Sequence, residues 1–259
     1  SARFSRAFTP VSGALSFATA EKSPDDKWNL KGLKSDTDDV AAVDALAAVF
    51  RANRPVLVYL HGNNNTPERC FERCAVLERM YNVEVVGFSW PSEGALSDGN
   101  DLPDAANDDP GNEDDLGGIT ASNRTESKLV RKARRFRQAK VNAQESVDAL
   151  ARFLRLVSIA RLQANAQPFS LAVHSLGVHF LQYSLEIDTA REALGAAFNI
   201  ALVAGCARAS GHKDWVARLR PKGKVFITYN SDDIVLYAAF VVDGSQLKLG
   251  ADPGTDRVQ

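Results

Sequence analysis

Phe169-Ser-Leu-Ala-Val-His-Ser-Leu-Gly177 decides the reading of this chain. Its first six residues form a buried strand. A sharp turn then carries Ser175 at its tip, and Val178-His-Phe-Leu-Gln-Tyr-Ser-Leu-Glu186 follows as a helix. A strand that enters a helix through a serine turn is the build of a nucleophile elbow. The turn lifts one hydroxyl out of a sheet, where a nearby base can activate it. Gly177 lets the helix pack closely behind the turn. Val173, two residues before the serine, is β-branched where a small residue would relieve crowding. The turn is therefore expected to be strained, with an unusual backbone angle at Ser175.

Outward from this turn, short apolar runs alternate with longer amphipathic ones. Val56-Leu-Val-Tyr-Leu60 reads as a buried strand between Pro55 and His61-Gly62. A helix over Cys70 to Tyr81 leads into a strand over Val83 to Trp90, stopped by Pro91. Residues 140 to 162 predict a single helix, because Val147, Leu150, Phe153, Leu154 and Val157 keep one apolar stripe. After the serine turn come a strand over Phe198 to Ala204, a helix near Lys213 to Leu219, and a strand over Lys224 to Tyr229. Continuous apolar strands separated by helices predict an α/β chain: a mostly parallel central sheet with helices on both faces. In such sheets the site lies at the carboxyl ends of the strands. Arg3 to Phe8 and Ala14 to Ala18 are expected as edge strands. Residues 1–259 are expected to form one domain.

Composition narrows the function. Hydrophobic residues at 45% and charged residues at 24% are globular values. A formal net charge of -1 argues against a dedicated nucleic-acid binder. No apolar run is long enough to span a membrane. Three cysteines suit a reducing compartment rather than a disulfide framework, so a cytoplasmic protein is expected. Cys70 and Cys74 alone make a poor metal site, and no metal or cofactor is expected. Residues 97 to 120 carry many aspartates with Gly, Asn and Pro, and read as a mobile acidic excursion without the spacing of a calcium loop. The basic run Lys128 to Lys140 that follows reads as a solvated helix facing it.

The remaining chemistry follows from what Ser175 needs. A serine hydroxyl is a weak nucleophile, so it requires a base and an oxyanion pocket. The N–H of Leu176, at the start of the following helix, is one expected donor. His61-Gly62-Asn63 follows an earlier strand, and Asn63 is the other. Tyr229-Asn-Ser-Asp-Asp-Ile234 follows a later strand and offers Asp232 and Asp233. Asp233 is preferred as the acid that orients a histidine, although either could simply cap a helix. The base is missing from its expected place. His61, His174, His179 and His212 all precede Asp233. His61 reads as structural, and His174 should turn its ring away from the serine.

Together, Val58 to Asn64, Val86 to Ser92, Ala143 to Leu154, Val173 to Gly177 and Asn230 to Leu236 resemble the α/β-hydrolase fold. They are most similar to bacterial esterase/lipase-like hydrolases of unknown function. The resemblance implies Ser175 as nucleophile, Asp233 as acid, and Asn63 and Leu176 as oxyanion donors. It also implies a last strand and a histidine beyond Lys248 to Gly254, which are expected to be missing from this sequence. Gln246 to Leu249 is the alternative last strand. The implied activity is hydrolysis of a small carboxylic ester through an acyl-enzyme. The alternative is a catalytically impaired interaction module on the same fold.

Overall fold

The computed structural model describes residues 15–25, 27–34, 38–92 and 123–254. Its strands are β1 (Phe17–Lys22), β2 (Trp28–Lys34), β3 (Val56–Leu60), β4 (Glu84–Phe88), β5 (Phe169–His174), β6 (Ala197–Val203) and β7 (Val225–Ile227). Its helices are α1 (Asp39–Arg51), α2 (Pro67–Tyr81), α3 (Asn123–Glu145), α4 (Val147–Gln163), α5 (Leu176–Ser184), α6 (Asp188–Leu194), α7 (His212–Val216) and α8 (Ile234–Val242). Five strands form one sheet in the order β4-β3-β5-β6-β7. Every pairing in it is parallel. The acidic stretch at 97–120 and the candidate strand at 3–8 lie outside the described residues.

Strand alternation shows that both faces of the sheet are covered. Successive residues point to opposite faces. Phe88 packs against Phe153 of α4 and Phe180 of α5, with ring centroids 4.9 and 6.0 Å apart. Its neighbour Gly87 faces α2, where a Cβ would stand 2.7 Å from the Cys74 sulfur and 3.0 Å from that of Cys70. The two thiols therefore fill the gap that a glycine leaves on β4. The neighbouring Cys74 thiol and burial both raise the Cys70 pKa. Val56, Val58 and Leu60 of β3 and Phe169, Leu171 and Val173 of β5 are all buried in the core. A fully buried side chain of this size is worth about 1.5–3 kcal/mol.

Several elements differ from the sequence expectation. The helix expected over 140–162 is two helices, broken at Ser146, whose φ is -90° and ψ 5°. The reason is that the halves bury different stripes. Phe136, Ala139 and Ala143 of α3 are buried and α3 packs mainly on α5, whereas α4 packs mainly against α1 and α6. Helix α1 was not anticipated. Its signal is present as the Asp38 cap on the Ala41 N–H, with Val43, Leu46, Ala47 and Phe50 on one buried stripe. The described part of the expected strand Ala14 to Ala18, residues 15–18, does not edge the main sheet. It overlaps β1, which pairs antiparallel with β2 in a separate two-stranded sheet. Trp28 of that hairpin meets Phe71 of α2 edge-on at 5.6 Å. Gln246 to Leu249 is no strand and forms only an isolated antiparallel bridge, Lys248 to Arg208. Among the described residues no helix is long and apolar enough to cross a membrane.

Candidate active site

The elbow is built as the local sequence requires. Strand β5 ends at His174 and α5 begins at Leu176, so a single residue makes the turn. That residue, Ser175, has φ 50° and ψ -118°. Positive φ is costly for a residue with a Cβ. Neighbouring backbone holds it there. Its N–H donates to Val203 O at 2.9 Å, and its carbonyl accepts from Cys206 N at 3.0 Å and Val178 N at 3.1 Å. Val173 is accommodated without exposure, inside the hydrophobic core.

Two glycines let the loop after β3 reach the turn. A Cβ on Gly62 would stand 2.7 Å from the Ser175 Cβ, and one on Gly177 would stand 2.6 Å from His61 O. No other residue type fits either position without displacing backbone. The loop itself is fixed by His61, which is fully buried. Its Nε2 accepts from the Trp90 N–H at 3.1 Å, so its proton sits on Nδ1, which donates to Gly62 O at 2.9 Å. Its own carbonyl accepts from the Trp90 indole N–H at 2.9 Å, and the two rings stack. The bond to Gly62 O has a consequence for the next residue. In a trans peptide the N–H points opposite to the carbonyl, so Asn63 N–H is directed away from the His61 ring. Asn63 also accepts from Asn65 Nδ2 through its backbone oxygen, at 3.0 Å.

A cleft at the carboxyl ends of the strands brings these groups together. Asn63, His174, Ser175 and Asp233 supply its polar lining, and Phe136, Leu236 and Ala239 are among its apolar lining. Leu176 stands directly behind the serine with its side chain buried. As the first residue of α5, its N–H has no carbonyl partner within the helix. Asp233 caps α8, its Oδ1 accepting from Val235 N and Leu236 N at 2.9 Å each. It thus fills the ordinary role of an aspartate and also faces the cleft. Asp232 is exposed, and its N–H is taken by Asn230 Oδ1 at 3.1 Å. Gly250 ties the loops after β6 and β7 together, donating to Gly205 O and accepting from Asn230 N, both at 2.8 Å.

The histidines divide clearly. His174 lines the cleft beside Ser175, with its Nδ1 3.1 Å from where a Gly62 Cβ would stand. His212 is fully buried and its Nδ1 lies 2.7 Å from Ala209 O, away from the cleft lining. His179 is buried and stacks on Tyr183. Burial, assisted by the nearby Lys140 and Lys248 charges, pushes its pKa down to about 3. Beside it lies a buried ion cluster. Asp243 bonds Lys140 at 2.7 Å and the fully buried Lys248 at 2.6 Å. Burial raises the Asp243 pKa, but the two ammonium groups outweigh it and hold the carboxyl below its usual range. Cys206 lines the cleft too, but burial pushes its thiol up to about 11, so it stays protonated and a poor nucleophile.

Of the residues singled out from sequence, Ser175, Asn63 and Asp233 meet in one cleft. The apolar lining was not anticipated. Phe136 had a readable signal, as the lone aromatic in the basic run, spaced by 3 and 7 from Ala139 and Ala143. Leu236 and Ala239 had none, because nothing local says which side of α8 faces the serine.

No curated protein and no solved structure matches the chain significantly. A family model described as "Alpha/beta hydrolase of unknown function (DUF900)" matches residues 41–255, which include the whole five-stranded sheet and every residue of the cleft. The parallel sheet, the serine turn and this match agree, and the chain belongs to that family of α/β hydrolases.

Proposed function

We propose that this hydrolase is a serine esterase that cleaves a small carboxylic ester through an acyl-enzyme. Ser175 Oγ attacks the carbonyl carbon while its proton passes to a histidine oriented by Asp233. The carbonyl oxygen becomes an oxyanion, held by the N–H groups of Leu176 and Asn63. The bond to the alcohol oxygen breaks as the alcohol takes the proton and leaves. Water then attacks the acylated serine, releasing the acid and restoring the hydroxyl.

One observation carries this reading: Ser175, at φ 50°, shares a cleft with Asn63 and Asp233. Of the four histidines, His174 is the one at that cleft. Three cysteines free of disulfides support a reducing compartment, and the cytoplasm is the proposed location. The test is covalent labelling by a fluorophosphonate, read by intact mass and peptide mapping. The expected result is one adduct on Ser175, absent in Ser175→Ala. An unlabelled wild-type chain would remove the reading.

A second reading, a catalytically impaired interaction module, is favoured by the histidines. His61, His179 and His212 are committed to structural surroundings, and none lines the cleft. Turnover of a p-nitrophenyl ester that disappears in Ser175→Ala would exclude this alternative.

A further inference from the structure

Helix α8 is apolar on every side. Its nine residues, Ile-Val-Leu-Tyr-Ala-Ala-Phe-Val-Val, carry no charge. A helix of this kind belongs in a core or against an apolar phase. Yet Ile234, Tyr237 and Val241 are 60%, 67% and 58% exposed. At about 100° per residue these three fall within an arc of roughly 60°. Val235, Leu236 and Ala239 line the serine cleft and lie on the opposite side of the same helix. One helix thus presents one side to the cleft and an uncovered apolar stripe to its surroundings. Leu247, just beyond the helix, is also exposed.

Asp232 and Asp233 stand at the amino end of the stripe, and among the described residues the charge at its carboxyl end is mainly cationic. Arg137 of α3 is exposed, and its Nη2 donates to Val242 O at the end of α8, at 3.4 Å. Among the described residues the carboxylate at that end of the helix is Asp243, which is already held by Lys140 and Lys248. The carboxyl end of α8 is therefore net cationic.

We infer that the α8 stripe and the Arg137 flank dock on an anionic lipid surface. An apolar stripe beside cations suits the boundary between headgroups and acyl chains. Binding there scales with the apolar area buried and with attraction to anionic lipid. Docking by the outer side of α8 leaves the Ser175 cleft on the other side of the same helix. The inference concerns binding and stands whether or not Ser175 is a nucleophile.

The test is co-sedimentation of the full chain with vesicles of phosphatidylcholine mixed with phosphatidylglycerol, and with phosphatidylcholine alone. The expected result is binding to the mixed vesicles that weakens about tenfold or more in Tyr237→Ser/Val241→Ser, as loss of an inserted apolar face predicts. Arg137→Glu should weaken it on mixed vesicles only. Ile234→Asn, alone, repeats the test at the other end of the stripe, and circular dichroism checks that each variant is folded. Absence of binding, or binding untouched by the stripe variants, would overturn the inference. So would a wild-type dimer in vesicle-free buffer that the stripe variants dissolve, because the stripe would then belong to a second copy of the chain.

Discussion

A side chain at Gly62 would collide with Ser175, since its Cβ would stand 2.7 Å from the serine Cβ. The turn after β3 and the turn after β5 are thus fitted to each other atom by atom. Gly62→Ala must push one of them away. The expected cost is about 1–3 kcal/mol of stability, as for other overpacked sites. Fluorophosphonate labelling of Ser175 should slow by far more than that loss explains. Denaturant melts and labelling rates of the same preparation separate the two effects.

Ser175 itself stores strain. Its φ of 50° suits glycine better than a residue with a Cβ. Ser175→Gly should raise stability by about 1 kcal/mol while abolishing labelling. A thermal melt checks the gain, which corresponds to about 2–4 °C for a chain of this size. Ser175→Ala should abolish labelling without the gain.

Asp233 holds two roles that substitution can part. Asparagine caps a helix about as well as aspartate, so Asp233→Asn should melt like the wild type. Asp233→Ala loses both bonds to Val235 and Leu236 and should lose about 1 kcal/mol. If the carboxylate orients a base, both variants lose ester turnover. Equal activity of wild type and Asp233→Asn would leave capping as its only role.

His61 acts on the cleft through the Gly62–Asn63 peptide. Its Nδ1 holds Gly62 O at 2.9 Å, which directs the Asn63 N–H. If the Asn63 N–H holds the oxyanion, His61→Ala, which frees that peptide, should reduce kcat with little change in KM, since such a donor matters most in the transition state. A matched fall in binding of substrate and in kcat would point to general collapse of the loop instead.

Acid should destabilise the fold in two stages. His179 is held neutral, with a pKa of about 3 in the fold against 6.5 when unfolded. Its contribution is present above 6.5 and declines as pH falls toward 3, because only the unfolded chain takes up the proton. The loss is up to ~1.4 kcal/mol per pH unit across that window. Asp243, whose pKa is lowered, adds a further loss below the ordinary carboxylate range. His179→Phe keeps a ring against Tyr183 and should flatten the first stage only. Urea midpoints measured at neutral and mildly acid pH provide the check.

Much of this was readable locally. Strands β3 and β5 stand at the residues where their apolar runs place them, and the strain at Ser175 follows from a strand and a helix meeting at one residue. Helix α1 carries a cap and a stripe and could have been read. The break at Ser146 could not, because each half is periodic and it is their different packing partners, α5 for α3 and mainly α1 and α6 for α4, that turn them apart.

The order of turns, strands and helices is thus written in the sequence, since periodicity and backbone sterics act over a few neighbouring residues. That Asn63, Ser175 and Asp233 share one cleft is a property of the sheet. It depends on β3 lying beside β5 and on β7 lying two strands away, and pairings so distant in sequence have no local signature. The same holds for the histidines, since whether an imidazole is a base or a buttress depends on which donors surround it. It holds also for α8, whose uniform apolar sequence says nothing about which side meets the cleft and which is left uncovered.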